Sequence, residues 1–471
     1  MTLKFFNILQ KESATVSPSR PIHIIGAGLA GCEAALQLAK RNFQVFLYDH
    51  KPEHCSPAHH SKTLAEIVCS NSFGSVNTEE SASASGLLKE EMKLLDCELL
   101  KIARAVAVPA GKALAVDREA FTQKVTETVK ANPNIHFICQ NVTDIPDDAW
   151  VLIATGPMTS PELAESIAKR LKRDQLYFFD AAAPIITKDS IDFNIAFFQD
   201  RYNAGAEGKT EDMGSYINCP LEKPDYEALV EILLNGEKTE LKTFEKESAC
   251  FFESCMPVEV MAGRGPQTLR FGPMKPVGIT NPKTGRWPYA VVQLRQDNAE
   301  GTLYNMVGFQ TNLKWGTQKQ MIQMIPGLAE ANVVRYGVMH RNTYIHSPEV
   351  LQPTLQLKEH PHILFAGQLT GTEGYTESVA TGMFAALNIA RLCQGQDAVI
   401  PPGESMLGAL LRYITRPEAI HHSFQPINSN WGILPELPEG SFPRKNKKAR
   451  NLLYVQRSLA AVQRWQSEVL K

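Results

Sequence analysis

At 471 residues, with 44% hydrophobic and 21% charged side chains and a formal net charge of −2, the chain has the composition of a globular protein of two or three domains. That balance excludes the global basic field of a strongly cationic nucleic-acid binder, while leaving room for a local basic patch. Nine scattered cysteines without a C-x-x-C pair, and no apolar run of membrane-spanning length, exclude a disulfide framework and a membrane span and point to a cytoplasmic protein.

Residues 1–20 read as a polar lead-in without a signal-peptide core. Ile22–Ile25 then enters Gly26–Ala27–Gly28–Leu29–Ala30–Gly31, and an Ala-rich helix leaves it. Glycines at G-x-G-x-x-G spacing permit a tight turn, close approach of backbone to a pyrophosphate and close helix–strand packing. The helix N-terminus offers unpaired N–H groups to the phosphates. A second strand, Gln44–Tyr48, ends in Asp49, eighteen residues after Gly31. A carboxylate there accepts from a ribose hydroxyl and repels a 2′-phosphate. The spacing predicts a Rossmann-type dinucleotide-binding domain whose first part is 21–187.

The loop 51–60 carries three histidines and a cysteine, but no second ligand cluster of zinc-like spacing follows, so no metal is expected. Cys69–Ser70–Asn71–Ser72 reads as a turn with a buried thiol. One helix is expected from Gly86 to about Arg104, and a second, capped by Asp117, over Arg118–Lys130. Further strands are expected at Ile135–Ile138 and Trp150–Gly156. From 188 to 333 the pattern changes to short strands and turns around one helical stretch, Tyr226–Asn235, which predicts an inserted α/β domain.

The first domain resumes over 334–435. Its closing signal is the strand Ile363–Ala366, a turn containing Gly367, Gln368, Gly371 and Gly374, and a helix over Thr376–Leu392. A second helix N-terminus of this kind suits the flavin end of the same dinucleotide, which favours FAD held between both ends of the chain. Residues 436–471 form a basic helical tail in which Arg444, Lys445, Lys447, Lys448 and Arg450 are candidate phosphate contacts.

Longer words in the chain carry a resemblance. They include Val68–Cys69–Ser70–Asn71–Ser72, Val108–Pro109–Ala110–Gly111, Ala115–Val116–Asp117–Arg118–Glu119 and Cys255–Met256–Pro257. Leu269–Arg270–Phe271–Gly272–Pro273–Met274–Lys275–Pro276 and Arg335–Tyr336–Gly337–Val338–Met339–His340–Arg341–Asn342–Thr343–Tyr344 extend the match over about 21–435. In these the chain resembles the bacterial folate- and FAD-dependent tRNA (uracil-5-)-methyltransferases. The resemblance implies methylation at C5 of the T-loop uridine of tRNA. Methylenetetrahydrofolate would donate the carbon, and FAD reduced by NAD(P)H the electrons. It departs at Phe73–Gly74–Ser75, where a larger aliphatic and a basic residue are usual, at Asp49 in place of glutamate, and at Ser254 in place of glycine.

Uracil C5 is a poor nucleophile until a thiolate adds at C6 and turns the ring into an enolate. A cysteine suits this because its thiolate is accessible near neutral pH. The motif match puts the nucleophile on Cys255 and a helper role beside the flavin on Cys69. The same motifs leave three alternatives: the same chemistry on ribosomal RNA, an FAD-dependent NAD(P)H oxidoreductase, and a non-catalytic tRNA-binding flavoprotein. Oligomeric state is not legible in them.

Overall fold

The computed structural model describes residues 20–469, except 54, 56–58, 60, 79–81, 173–175, 182, 202–213, 240–255, 338, 419–423, 439 and 442–445. Continuous apolar runs make a five-stranded parallel sheet in the order Ile363–Phe365, Trp150–Ile153, Ile22–Ile25, Val45–Asp49, Ile135–Cys139. Ile363–Phe365 and Trp150–Ile153 are covered on both faces and read as apolar runs without alternation, whereas Val45–Asp49 and Ile135–Cys139 leave Phe46, Tyr48 and His136 partly or fully exposed on one face. The helix Leu29–Lys40 is buried on every side from Leu29 to Ala39, because the sheet and the helix Tyr375–Cys393 enclose it. Its alanines and glycine permit that enclosure. A Cβ at Gly382 would stand 2.2 Å from the Ala30 carbonyl oxygen, so the two helices touch backbone to backbone.

The helix expected over Gly86–Arg104 is two helices, Ala84–Leu94 and Glu98–Ala105. Asp96, at φ 62°, turns the chain between them while the apolar period runs on across the break. The second helix lacks a cap of its own. Glu33 reaches from the neighbouring helix and accepts from the Glu98 and Leu99 N–H groups at 3.1 and 2.7 Å. Glu91 does the same for the helix Met406–Thr415, accepting from Met406 and Leu407 at 2.7 and 2.9 Å. Burial pushes the Glu91 carboxyl up to about 7, against the three hydrogen bonds it accepts.

The third of those bonds comes from Ser458 at 2.5 Å, on the helix Lys447–Val469. That helix buries Tyr454, Ala461, Val462 and Trp465, so it is a structural wall of the first domain. Its basic residues Lys447 and Lys448 stand on the exposed face.

A separate six-stranded sheet, paired antiparallel throughout, has its own core. Its order is Phe197–Phe198, Tyr216–Leu221, Ala290–Gln296, Leu303–Met306, Ile185–Thr187, Val333–Arg335. The sheet therefore takes in Ile185–Thr187 and Arg335, just outside the 188–333 expected for the insertion. A two-stranded antiparallel ribbon, Leu176–Ala181 with Met339–Tyr344, carries the chain out and back. The word from Arg335 to Tyr344 singled out above is thus largely this return crossing.

Candidate functional site

Two helices at the sheet's carboxyl end start at glycines, which have no side chain to cap them: Gly28 for Leu29–Lys40 and Gly374 for Tyr375–Cys393. Their first N–H groups are oriented for an anion. The two turns meet at Ala30, whose Cβ would lie 3.1 Å from a Cβ added to Gly367. Gly31 and Gly28 divide the remaining work. A Cβ at Gly31 would lie 1.8 Å from the Gly26 carbonyl oxygen, so helix–turn packing forbids it; one at Gly28 would meet nothing within 4 Å. The chain leaves open space over Gly28, the space a pyrophosphate in close approach requires.

Asp49 ends the neighbouring strand. Its Oδ2 accepts from the Ala27 N–H at 2.8 Å and its Oδ1 from the Lys51 N–H at 2.9 Å. A carboxylate has about four lone-pair sites, so these bonds orient it while leaving acceptor capacity for ribose hydroxyls. A cleft opens there, lined by Gly26, Tyr48, Asp49, Asn141, Val142, Thr155 and Met158 among others. Across the other turn, Gln368 Nε2 donates to Glu373 Oε2 at 2.6 Å, and the Gly367 N–H donates to Thr381 Oγ1 at 2.9 Å. Open backbone at a helix start, an oriented acid and a strand-end cleft fit an adenine dinucleotide.

Cys69 lies where the two sheets meet, half-buried. Its N–H donates to the Tyr375 hydroxyl at 2.8 Å, and its Sγ lies 2.9 Å from the same oxygen. With its oxygen already accepting from the backbone, the phenol can direct its own proton at sulfur and so support a thiolate. Burial, and next the Cys69 thiol beside it, push the Tyr375 hydroxyl well up, which keeps that proton in place. Tyr375 opens the helix behind the second glycine turn. The thiol is thereby tied to the dinucleotide cradle.

Three arginines hold the strip around Cys69. Arg118 donates to the Ile67 carbonyl at 2.7 Å and to Asp297 at 2.9 and 3.1 Å; Arg335 donates to the Val68 carbonyl at 3.1 Å. Arg295 donates to Asn71 Oδ1 at 3.1 Å, while Asn71 Nδ2 donates to Val116 and Gln296 carbonyls at 3.0 and 2.9 Å. Burial is the largest influence and opposes the Arg118 charge, but Asp297, Tyr375 and Cys69 together outweigh it and the guanidinium ends raised. Arg118 belongs to the first domain and Asp297, Arg295 and Arg335 to the inserted side, so these bonds also fix one sheet against the other.

Cys255 and Ser254 lie outside the described residues. Both ends of the stretch holding them are anchored close together on the inserted side. Thr239 N–H donates to the Asn312 carbonyl at 2.9 Å, and Val258 N–H to the Gln310 carbonyl at 2.7 Å.

A sequence model of the family described as glucose inhibited division protein A matches residues 21–397. The methylenetetrahydrofolate–tRNA-(uracil-5-)-methyltransferase TrmFO of Bacillus cereus is 50% identical over 442 residues, covering 94% of this chain and 98% of its own. Its counterpart from Lysinibacillus sphaericus is 52% identical over 441 residues, covering 94% and 97%. The chain belongs to this family, among its methylenetetrahydrofolate–tRNA-(uracil-5-)-methyltransferases. The fold agrees: a structure of Aquifex aeolicus GidA superposes with a TM-score of 0.66 at 16% identity, over 96% of this chain and 74% of that one. Among the described residues, no helix is long and apolar enough to cross a membrane.

The structure brings Gly26, Ala27, Gly28, Leu29, Ala30, Gly31 and Asp49 to one side of the cradle and Gly367, Gln368 and Gly374 to the other, with Cys69 tied to the latter by Tyr375. Sequence reasoning missed Tyr375, Arg118, Asp297 and Arg335 as neighbours of the thiol. Each lay inside or beside a recognised word except Asp297, which no local pattern marks.

Proposed function

We propose that this chain methylates uridine C5 in the T-loop of tRNA, the near full-length identity to TrmFO enzymes being the observation that carries the reading. Reduced FAD supplies electrons drawn from NAD(P)H, and methylenetetrahydrofolate supplies the carbon. The helix starts at Gly28 and Gly374 hold the pyrophosphate and flavin ends of the dinucleotide, and Asp49 takes the ribose. Cys255 adds through sulfur to uracil C6, which loads negative charge onto C5 and O4 and lets C5 take the carbon. Loss of the C5 proton and cleavage of the carbon–nitrogen bond to the folate would then leave a methylene on C5, and a hydride equivalent drawn from the reduced flavin would turn it into methyl as the Cys255 thiolate leaves C6 and the ring double bond returns. Cys69, with the Tyr375 hydroxyl at 2.9 Å, is the group on this chain built to hold and pass a proton beside the flavin. Such chemistry on tRNA belongs in the cytoplasm.

The test is an assay with a T-loop minihelix, FAD, NADH and labelled methylenetetrahydrofolate. The parent protein is expected to place label at uridine C5, and Cys255→Ala to place none while remaining yellow. Label transferred by Cys255→Ala at the parent rate would sink the nucleophile assignment. Label taken instead from S-adenosylmethionine would sink the reading as a whole.

A further inference from the structure

The stretch from Arg264 to Tyr289 contains five lysines and arginines and no aspartate or glutamate, in a chain whose formal charge is −2. It leaves two large aromatic side chains in solvent, Phe271 at 82% exposure and Trp287 at 58%. A single exposed ring is ordinary, but two exposed together beside charge of one sign mark a candidate contact surface. These two flank a rigid contact. The Arg270 guanidinium lies 3.7 Å from the centre of the Tyr289 ring; it donates through Nε to the Tyr289 carbonyl at 2.7 Å and through Nη1 to Gln267 at 2.6 Å. That contact clamps the segment ending in Phe271 against the strand entry that carries Trp287.

The loop bearing Lys283 and Arg286 is equally fixed. Asn281 N–H donates to the Arg286 carbonyl at 2.9 Å, Gly285 N–H to the Asn281 carbonyl at 2.8 Å, and Lys283 N–H to Asn281 Oδ1 at 2.9 Å. Lys283 and Arg286 are thus presented on a turn that is ordered before anything binds. The whole surface begins one short helix, Val258–Gly263, beyond the segment that carries Cys255.

We infer that this face of the inserted domain is where the RNA docks, with Phe271 and Trp287 stacking on unpaired bases or ribose and Arg270, Lys283 and Arg286 meeting phosphates. The inference rests on the proposed function and adds the surface to it. Charge of one sign suits a phosphate backbone, and exposed rings suit bases splayed out of a loop. A protein partner or a second copy of this chain would leave the absence of acidic residues without a role.

The test compares Phe271→Ala/Trp287→Ala and Lys283→Gln/Arg286→Gln with the parent, as full chains loaded with FAD. Affinity for a labelled T-loop minihelix is read by fluorescence anisotropy at several salt concentrations, and NADH-driven flavin reduction without RNA serves as the control. The aromatic pair is expected to weaken binding at least about tenfold. The cation pair is expected to flatten the slope of log affinity against log salt by about 1.5. Flavin reduction should match the parent in both. Parent-like RNA affinity in both variants, with the parent binding and methylating normally, overturns the docking surface and leaves the function standing. A parent that reduces flavin but binds no RNA overturns both. A change of sedimentation without a change of RNA affinity assigns the face to a second copy and also overturns the inference.

Discussion

The glycine cradle and the joint around Cys69 hold their residues by opposite means. In the cradle, position comes from what is missing: Gly31 and Gly382 let backbones approach to distances that a single methyl would forbid. In the joint, position comes from long polar side chains that reach across, Arg118 to Asp297 over 179 residues of sequence and Tyr375 to Cys69 over 306. A cradle of small residues tolerates almost no substitution by a larger one but needs no partner elsewhere. A joint of polar arms tolerates small shifts but fails when one partner is removed, because a buried group is then left unpaired.

The largest expected effect lies in the cradle. Gly31→Ala pushes a methyl into the Gly26 carbonyl and should destabilise the chain by about 3 kcal/mol or more, with loss of the flavin absorbance. Gly28→Ala is its control. Open space surrounds that position, so thermal stability should match the parent while the dissociation constant for FAD rises at least about tenfold, the cost of pushing the pyrophosphate back from a Cβ. A Gly28→Ala protein that binds FAD as the parent does would show that the pyrophosphate does not approach there.

A smaller loss is expected in the joint. Tyr375→Phe removes the hydroxyl against Cys69 Sγ but not the ring, and should lower methyl transfer by about 10²-fold with FAD content unchanged. A purely structural tyrosine would leave the pH–rate profile where it was; a proton-passing one should shift its limb.

A pH dependence separates the two regions. Glu91 lies on the cradle side, with its carboxyl raised to about 7 from an ordinary 4.5 by burial. A carboxyl raised on folding adds stability that is fully present below about pH 4.5 and fades as pH climbs through about 7. Thermal stability of the parent should therefore fall between about pH 4.5 and pH 7, and less so in Glu91→Gln, which cannot titrate. An equal fall in both would place the sensitive group elsewhere.

What could be read in advance followed from how far each interaction reaches along the chain. The turn Gly26–Gly31, the Asp117 cap and the helix Arg118–Lys130 are set by neighbours within a few residues, and the structure has that helix at the expected bounds. The break at Asp96 was hidden because leucines keep a helical period across it, and the cap that ends the matter comes from Glu33 on another helix. The tail's lysines and arginines were visible as charge, whereas Trp465 and Ser458 on its inner face declare themselves only once Glu91 lies opposite.

By itself, then, the chain's order of residues determined the glycine turns, the α/β class and, through its long words, the family. Turn glycines, caps and apolar runs act locally, and their spacing survives in one dimension. Only the folded molecule decided that Tyr375 faces Cys69, that Asp297 answers Arg118, and that Phe271 and Trp287 flank one charged surface. Those pairings depend on where two sheets and a returning ribbon bring distant segments, and a hydrogen bond or an ion pair leaves no mark on the residues in between.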